Sequence, residues 1–151
     1  MSVCTLLASD HPLPTAAPRQ QYPLRICIDD GSVFDGDADD NFYLYPFPDV
    51  QTYTGKDYGV WLDWRYTEGR GIQLLDYIRR ALCHTEEIQL WHIWLLGWWE
   101  YEERPVIHSR TIPFSTLTVE DLKKLDDAPI WNSPDRQNPQ RPSFYRLVIT
   151  K

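Results

Sequence analysis

Residues 88–96 (IQLWHIWLL) constrain the fold of this chain more than any other segment, because they are apolar on both faces of an extended strand. Side chains alternate between the two faces of a sheet along each strand. A strand that is apolar on both faces has to be covered on both sides. The segment therefore predicts a central strand of a sheet, with other parts of the chain packed above and below it.

The pattern changes to helical periodicity after residue 67. Apolar residues recur at the i, i+3, i+4 spacing of one helical face: Ile72, Leu75, Ile78, Ala81 and Leu82. This spacing predicts the longer of two helices at about residues 68–83, with Thr67 as its N-cap. Residues 118–121 match the start signal of a second, shorter helix.

Further strands are predicted where apolar and polar residues alternate between turn signals, at residues 3–8, 24–28, 42–47, 58–64, 106–114 and 144–150. From residue 58 onward the elements follow the order β-α-β-β-α-β, which is typical of a ferredoxin-like arrangement. Two or three additional strands precede residue 58. We therefore expect one α+β domain over residues 1–151, with a mostly antiparallel sheet and two helices.

Acidic residues outnumber basic residues by 22 to 15, which gives a formal net charge of −7. An acidic protein repels the phosphate backbone, so no nucleic acid is expected as a partner. The longest apolar run is too short to span a bilayer, and the first residues (MSVCTLLASD) lack the basic region of a signal peptide. With three cysteines, an odd number for a disulfide framework, these features predict a cytoplasmic protein that binds no membrane.

A predicted turn after the central strand contains the aromatic residues Trp98, Trp99 and Tyr101. Large apolar rings are unfavourable in an exposed turn unless something binds them. We expect these three residues to be anchors for a protein partner or for a second copy of the chain. The other possibility is that the rings pack within the chain.

A second candidate surface is an acidic loop at residues 35–40, which contains Asp35, Asp37, Asp39 and Asp40. Its charge is expected to attract a partner with a basic surface. Carboxylates at alternating positions also occur in calcium loops, but the EF-hand pattern requires Gly and Glu where this chain has Asp40 and Pro46. We predict neither a metal nor a cofactor, and a solvated acidic turn is the simplest alternative.

Two histidines, His92 and His108, fall in consecutive predicted strands. If those strands form a hairpin centred on Glu100, the two side chains are directly opposite, with Cβ atoms about 5 Å apart. Asp63 on the strand at 58–64 would add a carboxylate to a catalytic or ligand-binding group. A register shift of one residue would instead turn the histidines to opposite faces, as ordinary members of the sheet.

These observations favour a non-enzymatic protein-interaction domain, immunity- or adaptor-like, that uses the aromatic turn and the acidic loop. The alternative is a small-molecule enzyme or binder with a cleft at His92, His108 and Asp63. The chain resembles many small bacterial proteins, and some toxin-immunity proteins, in being short, acidic and rich in tryptophan. This resemblance assigns no role to any residue.

Overall fold

A computed structural model describes residues 3–95, 105–126 and 143–151 of the chain. These residues form an α+β fold with a mostly antiparallel main sheet, in agreement with the predicted class. The strands are β1 (Val3–Ser9), β2 (Arg25–Ile26), β3 (Val33–Phe34), β4 (Tyr43–Pro46), β5 (Tyr58–Asp63), β6 (Glu87–Trp94), β7 (Val106–Pro113) and β8 (Ser143–Thr150). The helices are α1 (Val50–Thr54), α2 (Glu68–Ala81) and α3 (Val119–Asp126), with a 3-10 turn at Phe114–Thr116. No helix in this part of the chain is long and apolar enough to cross a bilayer.

The main sheet has the strand order β4-β5-β1-β6-β8-β7, with β6 in its interior. β6 pairs antiparallel with β1 on one side and with β8 on the other. Leu90 on one face and Trp91 on the other are both almost completely buried. The prediction of a central strand covered on both sides is therefore confirmed.

The two faces of the main sheet carry separate hydrophobic cores. One face, which we call the α2 face, packs against α2 and α3, and its buried side chains include Leu7, Leu74, Leu90, Leu122 and Leu147. The opposite face, which we call the α1 face, has a smaller core formed by Cys4, Leu6, Ala8, Val50, Trp91, Ile93 and Phe144. Because side chains alternate along each strand, these two cores fix the face on which each candidate site residue lies.

The ferredoxin-like arrangement predicted from residue 58 onward is not observed. The elements do follow the order β5, α2, β6, β7, α3, β8 along the chain. In the sheet, however, β1 lies between β5 and β6, and β8 lies between β6 and β7. β8 therefore pairs with β6 antiparallel and with β7 in parallel, and β7 forms one edge of the sheet.

The prediction of two helices is also wrong, because α1 is a third helix within the described residues. It has five residues and ends at Gly55, whose φ of 72° is the left-handed conformation that favours glycine. α1 packs against β5 at Gly59, where an added Cβ atom would lie only 2.6 Å from Cγ2 of Val50. A helix this short contains too few residues to show the periodicity from which helices are predicted.

α2 begins where the sequence predicts and ends two residues earlier, at Ala81. Its buried face is rotated from the predicted one. Leu74 and Ile78 are fully buried, whereas Ile72, which the spacing assigned to the buried face, is 55% exposed. The buried face also includes the charged residue Arg70.

Replacing Thr67 by alanine is expected to lower the free energy of unfolding by about 1 kcal/mol. Thr67 is the N-cap of α2, and its hydroxyl oxygen accepts a hydrogen bond from the backbone N–H of Arg70 at 3.2 Å. Urea unfolding of wild type, Thr67→Ala and Thr67→Ser measures the effect. Serine keeps the hydroxyl and should retain most of the stability, so equal losses in both variants would contradict a capping role.

Candidate functional site

A small β-ribbon outside the main sheet was only partly predicted. β2 and β3 pair antiparallel, with Arg25 opposite Phe34 and Ile26 opposite Val33. No strand was predicted between residues 28 and 42, so β3 is an element that the sequence patterns missed. We refer to residues 24–34 as the ribbon.

The ribbon exposes five large apolar side chains: Leu24, Ile26, Ile28, Val33 and Phe34. The exposed fraction reaches 93% for Ile28 and 63% for Ile26. Single exposed apolar residues are ordinary, but a contiguous group of them usually marks an interaction surface. Sequence reasoning missed this surface because alternation at residues 24–28 predicts a strand with one face buried, and nothing local shows that this face lacks a core.

The acidic loop is bound to buried and half-exposed arginines of the same chain. Asp35 forms ion pairs with Arg70 at 2.9 Å and with Arg65 at 3.0 Å, and Arg65 also pairs with Asp37. The Arg70 side chain is fully buried and donates hydrogen bonds to the carbonyl oxygens of Ala38 and Arg65, both at 2.9 Å. The hydrogen bond from Arg70, supported by that from Arg65, holds the pKa of Asp35 well below its ordinary range.

Asp39 and Asp40 attach the acidic loop at two further points. The Asp40 carboxylate accepts hydrogen bonds from the Tyr22 hydroxyl and, at 3.0 Å, from the backbone N–H of Arg19, and these bonds lower its pKa. Asp39 lies against Gly69 in the first turn of α2, where an added Cβ atom would overlap its carboxylate. Asp35 and Asp37 therefore hold the loop near the start of α2, and Asp40 ties it to Arg19 and Tyr22, contacts that the sequence did not predict. Asp37 and Asp39 remain exposed, so the loop still presents charge to solvent.

The predicted aromatic anchors Trp98, Trp99 and Tyr101 lie outside the described residues. Their role as partner contacts remains a prediction from the sequence.

His92 and His108 lie on the α2 face, but their strands do not form the predicted hairpin. Tyr145 of β8 lies between them and is the register partner of both. Neighbouring strands are about 4.8 Å apart, so the two histidines are separated by roughly 10 Å rather than the expected 5 Å. His92 is buried, with its Nδ1 3.0 Å from the hydroxyl oxygen of Thr5, whereas the His108 ring is exposed and stacks on Tyr145 at 4.9 Å between centroids.

Asp63 lies on the opposite face of the sheet from the two histidines. It follows Leu62, which packs in the core of the α2 face, so the Asp63 side chain belongs to the α1 face. Its register partner is Tyr43, whose ring stacks on that of Tyr45 at 5.2 Å between centroids. The structure therefore does not bring His92, His108 and Asp63 together in one site.

A cleft of about 180 Å³ opens on the α2 face, where α3 lies over β7 and β8. Its lining includes His108, Arg110, Asp121, Lys124, Tyr145 and Leu147. Burial tends to raise the pKa of Asp121, but hydrogen bonds from Thr118 and the charge of Arg110 lower it overall. The cleft thus combines an aromatic pair with charged side chains. Only His108 among these residues was a predicted site residue.

The described residues form no metal site, and Cys4 is poorly suited to nucleophilic chemistry, whereas Cys27 and Cys83 are exposed free cysteines. In residues 3–95, 105–126 and 143–151, no three His, Cys, Asp or Glu side chains are grouped so that they could hold a metal ion. Cys4 is buried, and burial raises the pKa of its thiol to about 12, so the thiol stays protonated near neutral pH.

Comparison with known proteins identifies no relative, because no family model, no curated protein and no solved structure matches this chain. Its function therefore has to be inferred from the contacts, exposure and charge of its own residues.

Proposed function

We propose that this chain is a protein-interaction domain that binds an extended, basic segment of a partner protein through the ribbon and the acidic loop. The observation that carries this proposal is the exposure of the five apolar ribbon side chains. Burying one such side chain at an interface is favourable by about 1.5–3 kcal/mol. The acidic loop directly follows the ribbon in sequence, so apolar and acidic groups occur side by side.

The backbone of the ribbon supports an extended partner. β2 and β3 pair with each other, and neither pairs with another of the described strands. Each therefore has an edge whose N–H and C=O groups can bind an added strand. Ile26 and Val33 are directly opposite each other and face the same side, where they would contact alternate side chains of that strand.

The charge of the same region favours a basic partner over a second copy of the chain. Six aspartates occur in residues 22–41: Asp29, Asp30, Asp35, Asp37, Asp39 and Asp40. Three arginines offset part of this negative charge. Arg25 lies within the region, and Arg65 and Arg70 pair with the acidic loop. Two copies of this acidic surface would repel each other, whereas a partner rich in Lys or Arg is attracted.

Trp98, Trp99 and Tyr101 belong to this proposal as a second contact with the partner, on the basis of the sequence. The same holds for a cytoplasmic location and for the expectation that nucleic acid does not bind. A surface that binds another protein without catalysing a reaction is what an immunity protein or an adaptor needs.

A designed peptide of alternating valine and lysine, labelled with a fluorophore, tests the proposal by fluorescence anisotropy. Wild type is expected to bind it saturably, and the double variant Ile26→Ser/Ile28→Ser to bind it at least about tenfold more weakly, because two anchors are removed. Binding should also weaken with added salt, because exposed charges are screened.

Ile72→Ser is the matched control, since Ile72 is an exposed isoleucine on α2, away from the ribbon. It should bind the peptide as wild type does, and a valine–glutamate peptide should not bind wild type. Equal affinity of wild type and the ribbon variant would contradict the proposed surface. Light scattering measures the mass of the protein without the peptide. A dimer would indicate that a second copy of the chain, and not a basic partner, covers the ribbon.

A further inference from the structure

The cleft between α3 and the β7–β8 edge has a charge opposite to that of the chain as a whole. Arg110 and Lys124 contribute two cations, against the single carboxylate of Asp121; Arg146 also lines the cleft, but its guanidinium lies over Trp91 on the α1 face. That carboxylate already accepts hydrogen bonds from the backbone N–H and the hydroxyl of Thr118, at 3.0 and 2.9 Å, and lies 3.4 Å from Arg110. No described residue forms an ion pair with Lys124, so the cleft has an excess of positive charge.

The same cleft has an aromatic wall beside these cations. The rings of His108 and Tyr145 stack nearly parallel, 19° apart, with their centroids 4.9 Å from each other. Both residues point to the α2 face, as does Arg110, which lies two residues beyond His108 on β7. A flat apolar surface next to a guanidinium and an ammonium matches a ligand that has a planar ring and a negative group.

The size of the cleft limits the ligand further. Its volume of about 180 Å³ is below the roughly 300–1,000 Å³ that is usual for drug-sized ligands. A single ring with one acidic substituent is the class of molecule that meets the volume, the charge and the aromatic wall together.

We propose that this cleft binds a small planar organic carboxylate, with its ring against the His108–Tyr145 pair and its carboxylate between Arg110 and Lys124. The site is separate from the ribbon and the acidic loop, and its ligand does not depend on the proposed protein partner.

Titration with benzoate, followed by NMR shifts of backbone amides, tests this inference on the full chain. Saturable shifts are expected at Arg110 and Leu147, which line the cleft. Cyclohexanecarboxylate keeps the charge without a planar ring, and inorganic phosphate is an anion without a ring. Both are expected to bind at least about tenfold more weakly than benzoate if ring stacking contributes.

Lys124→Met removes the charge but keeps the length of an exposed side chain, so the variant should fold normally. It is expected to weaken benzoate binding about tenfold, since a charge-assisted contact is lost. Lys123→Met is the matched control, because Lys123 is an exposed neighbour on the same helix that does not line the cleft. It should bind benzoate as wild type does.

Three results would overturn the inference. The first is the absence of a saturable benzoate shift at the cleft, and the second is an equal reduction of binding in Lys124→Met and Lys123→Met. The third is equal affinity for phosphate and benzoate, which would leave an anion site without selectivity for a ring.

Discussion

Replacing Arg70 by methionine is expected to lower the free energy of unfolding at pH 7 by about 3–5 kcal/mol, because it breaks a buried ion pair from one side. Arg70 is fully buried, and its guanidinium pairs with Asp35 and donates to the carbonyls of Ala38 and Arg65. Methionine fills similar space but leaves these acceptors without their donor. The loss is a large fraction of the about 5–15 kcal/mol that is usual for a domain of this size.

The effect of Arg70→Met should depend on pH. The pKa of Asp35 is lower in the folded chain than in the unfolded chain, so its stabilisation is complete above the ordinary carboxyl pKa of about 4. It declines as the pH falls through the folded-state pKa and Asp35 becomes protonated. The difference in unfolding free energy between wild type and Arg70→Met should therefore be largest near neutral pH and shrink in acid.

Arg80→Met is the matched control for this prediction. Arg80 is on the same helix and pairs with Asp76, but both side chains are exposed, so water screens the pair and its loss should have a small effect. Asp35→Asn combined with Arg70→Met should cost little more than Arg70→Met alone, because both residues act in one network. Denaturant unfolding at several pH values measures all of these. A loss in Arg70→Met no larger than that in Arg80→Met would contradict the prediction.

Replacing Trp91 by alanine is expected to lower the free energy of unfolding by about 3–5 kcal/mol, through loss of burial and creation of a cavity. Trp91 is only 1% exposed and lies in the core of the α1 face. Its Nε1–H donates a hydrogen bond to Oε1 of Gln89 at 2.9 Å, and the Arg146 guanidinium lies 5.3 Å from its ring centroid. Alanine removes the ring and leaves the buried amide oxygen of Gln89 without this donor.

Trp61→Ala provides the comparison for Trp91→Ala on the same face of the sheet. Trp61 is 39% exposed and contacts Tyr45 at 5.6 Å between ring centroids, so its removal should cost about 1 kcal/mol or less. Trp91→Phe should lie between the two, since it keeps most of the packing but not the hydrogen bond. Thermal or urea unfolding measures the three variants. Similar losses in Trp91→Ala and Trp61→Ala would contradict the assignment of Trp91 to a close-packed core.

The elements with long, regular patterns could be predicted from the sequence, and their arrangement in space could not. The apolar run at residues 88–96 identified β6, and the change of period after Thr67 identified α2, because both signals are local. The strands that lie beside β6 are β1 and β8, and both are distant from it in the sequence. A local pattern therefore cannot identify them as its neighbours. The pairing of His92 with His108 failed for this reason, since it assumed that consecutive strands are neighbours.

In the candidate sites too, the sequence identified single segments but not the contacts between distant residues. The acidic loop was recognised by its composition, but its binding to Arg70 was not. The sequence did contain a signal for Arg70, because Arg70, Leu74 and Ile78 are spaced by four and lie together on the buried face of α2. A charged residue at such a position requires a buried partner, and the nearby aspartates supply it. The exposed ribbon gave no comparable signal, because its residues alternate as those of a core strand do.

The position of β8 has a consequence for the synthesis of this protein. The chain leaves the ribosome from its N-terminus, so β6 and β7 are both present before the strand that joins them. Until residue 150 has emerged, β6 has β1 on one side and an open apolar edge on the other, where another nascent chain can add. The gap between β6 and β7 closes only when β8 inserts into it, so this one pairing step removes the apolar edge of β6 that an incomplete chain would expose.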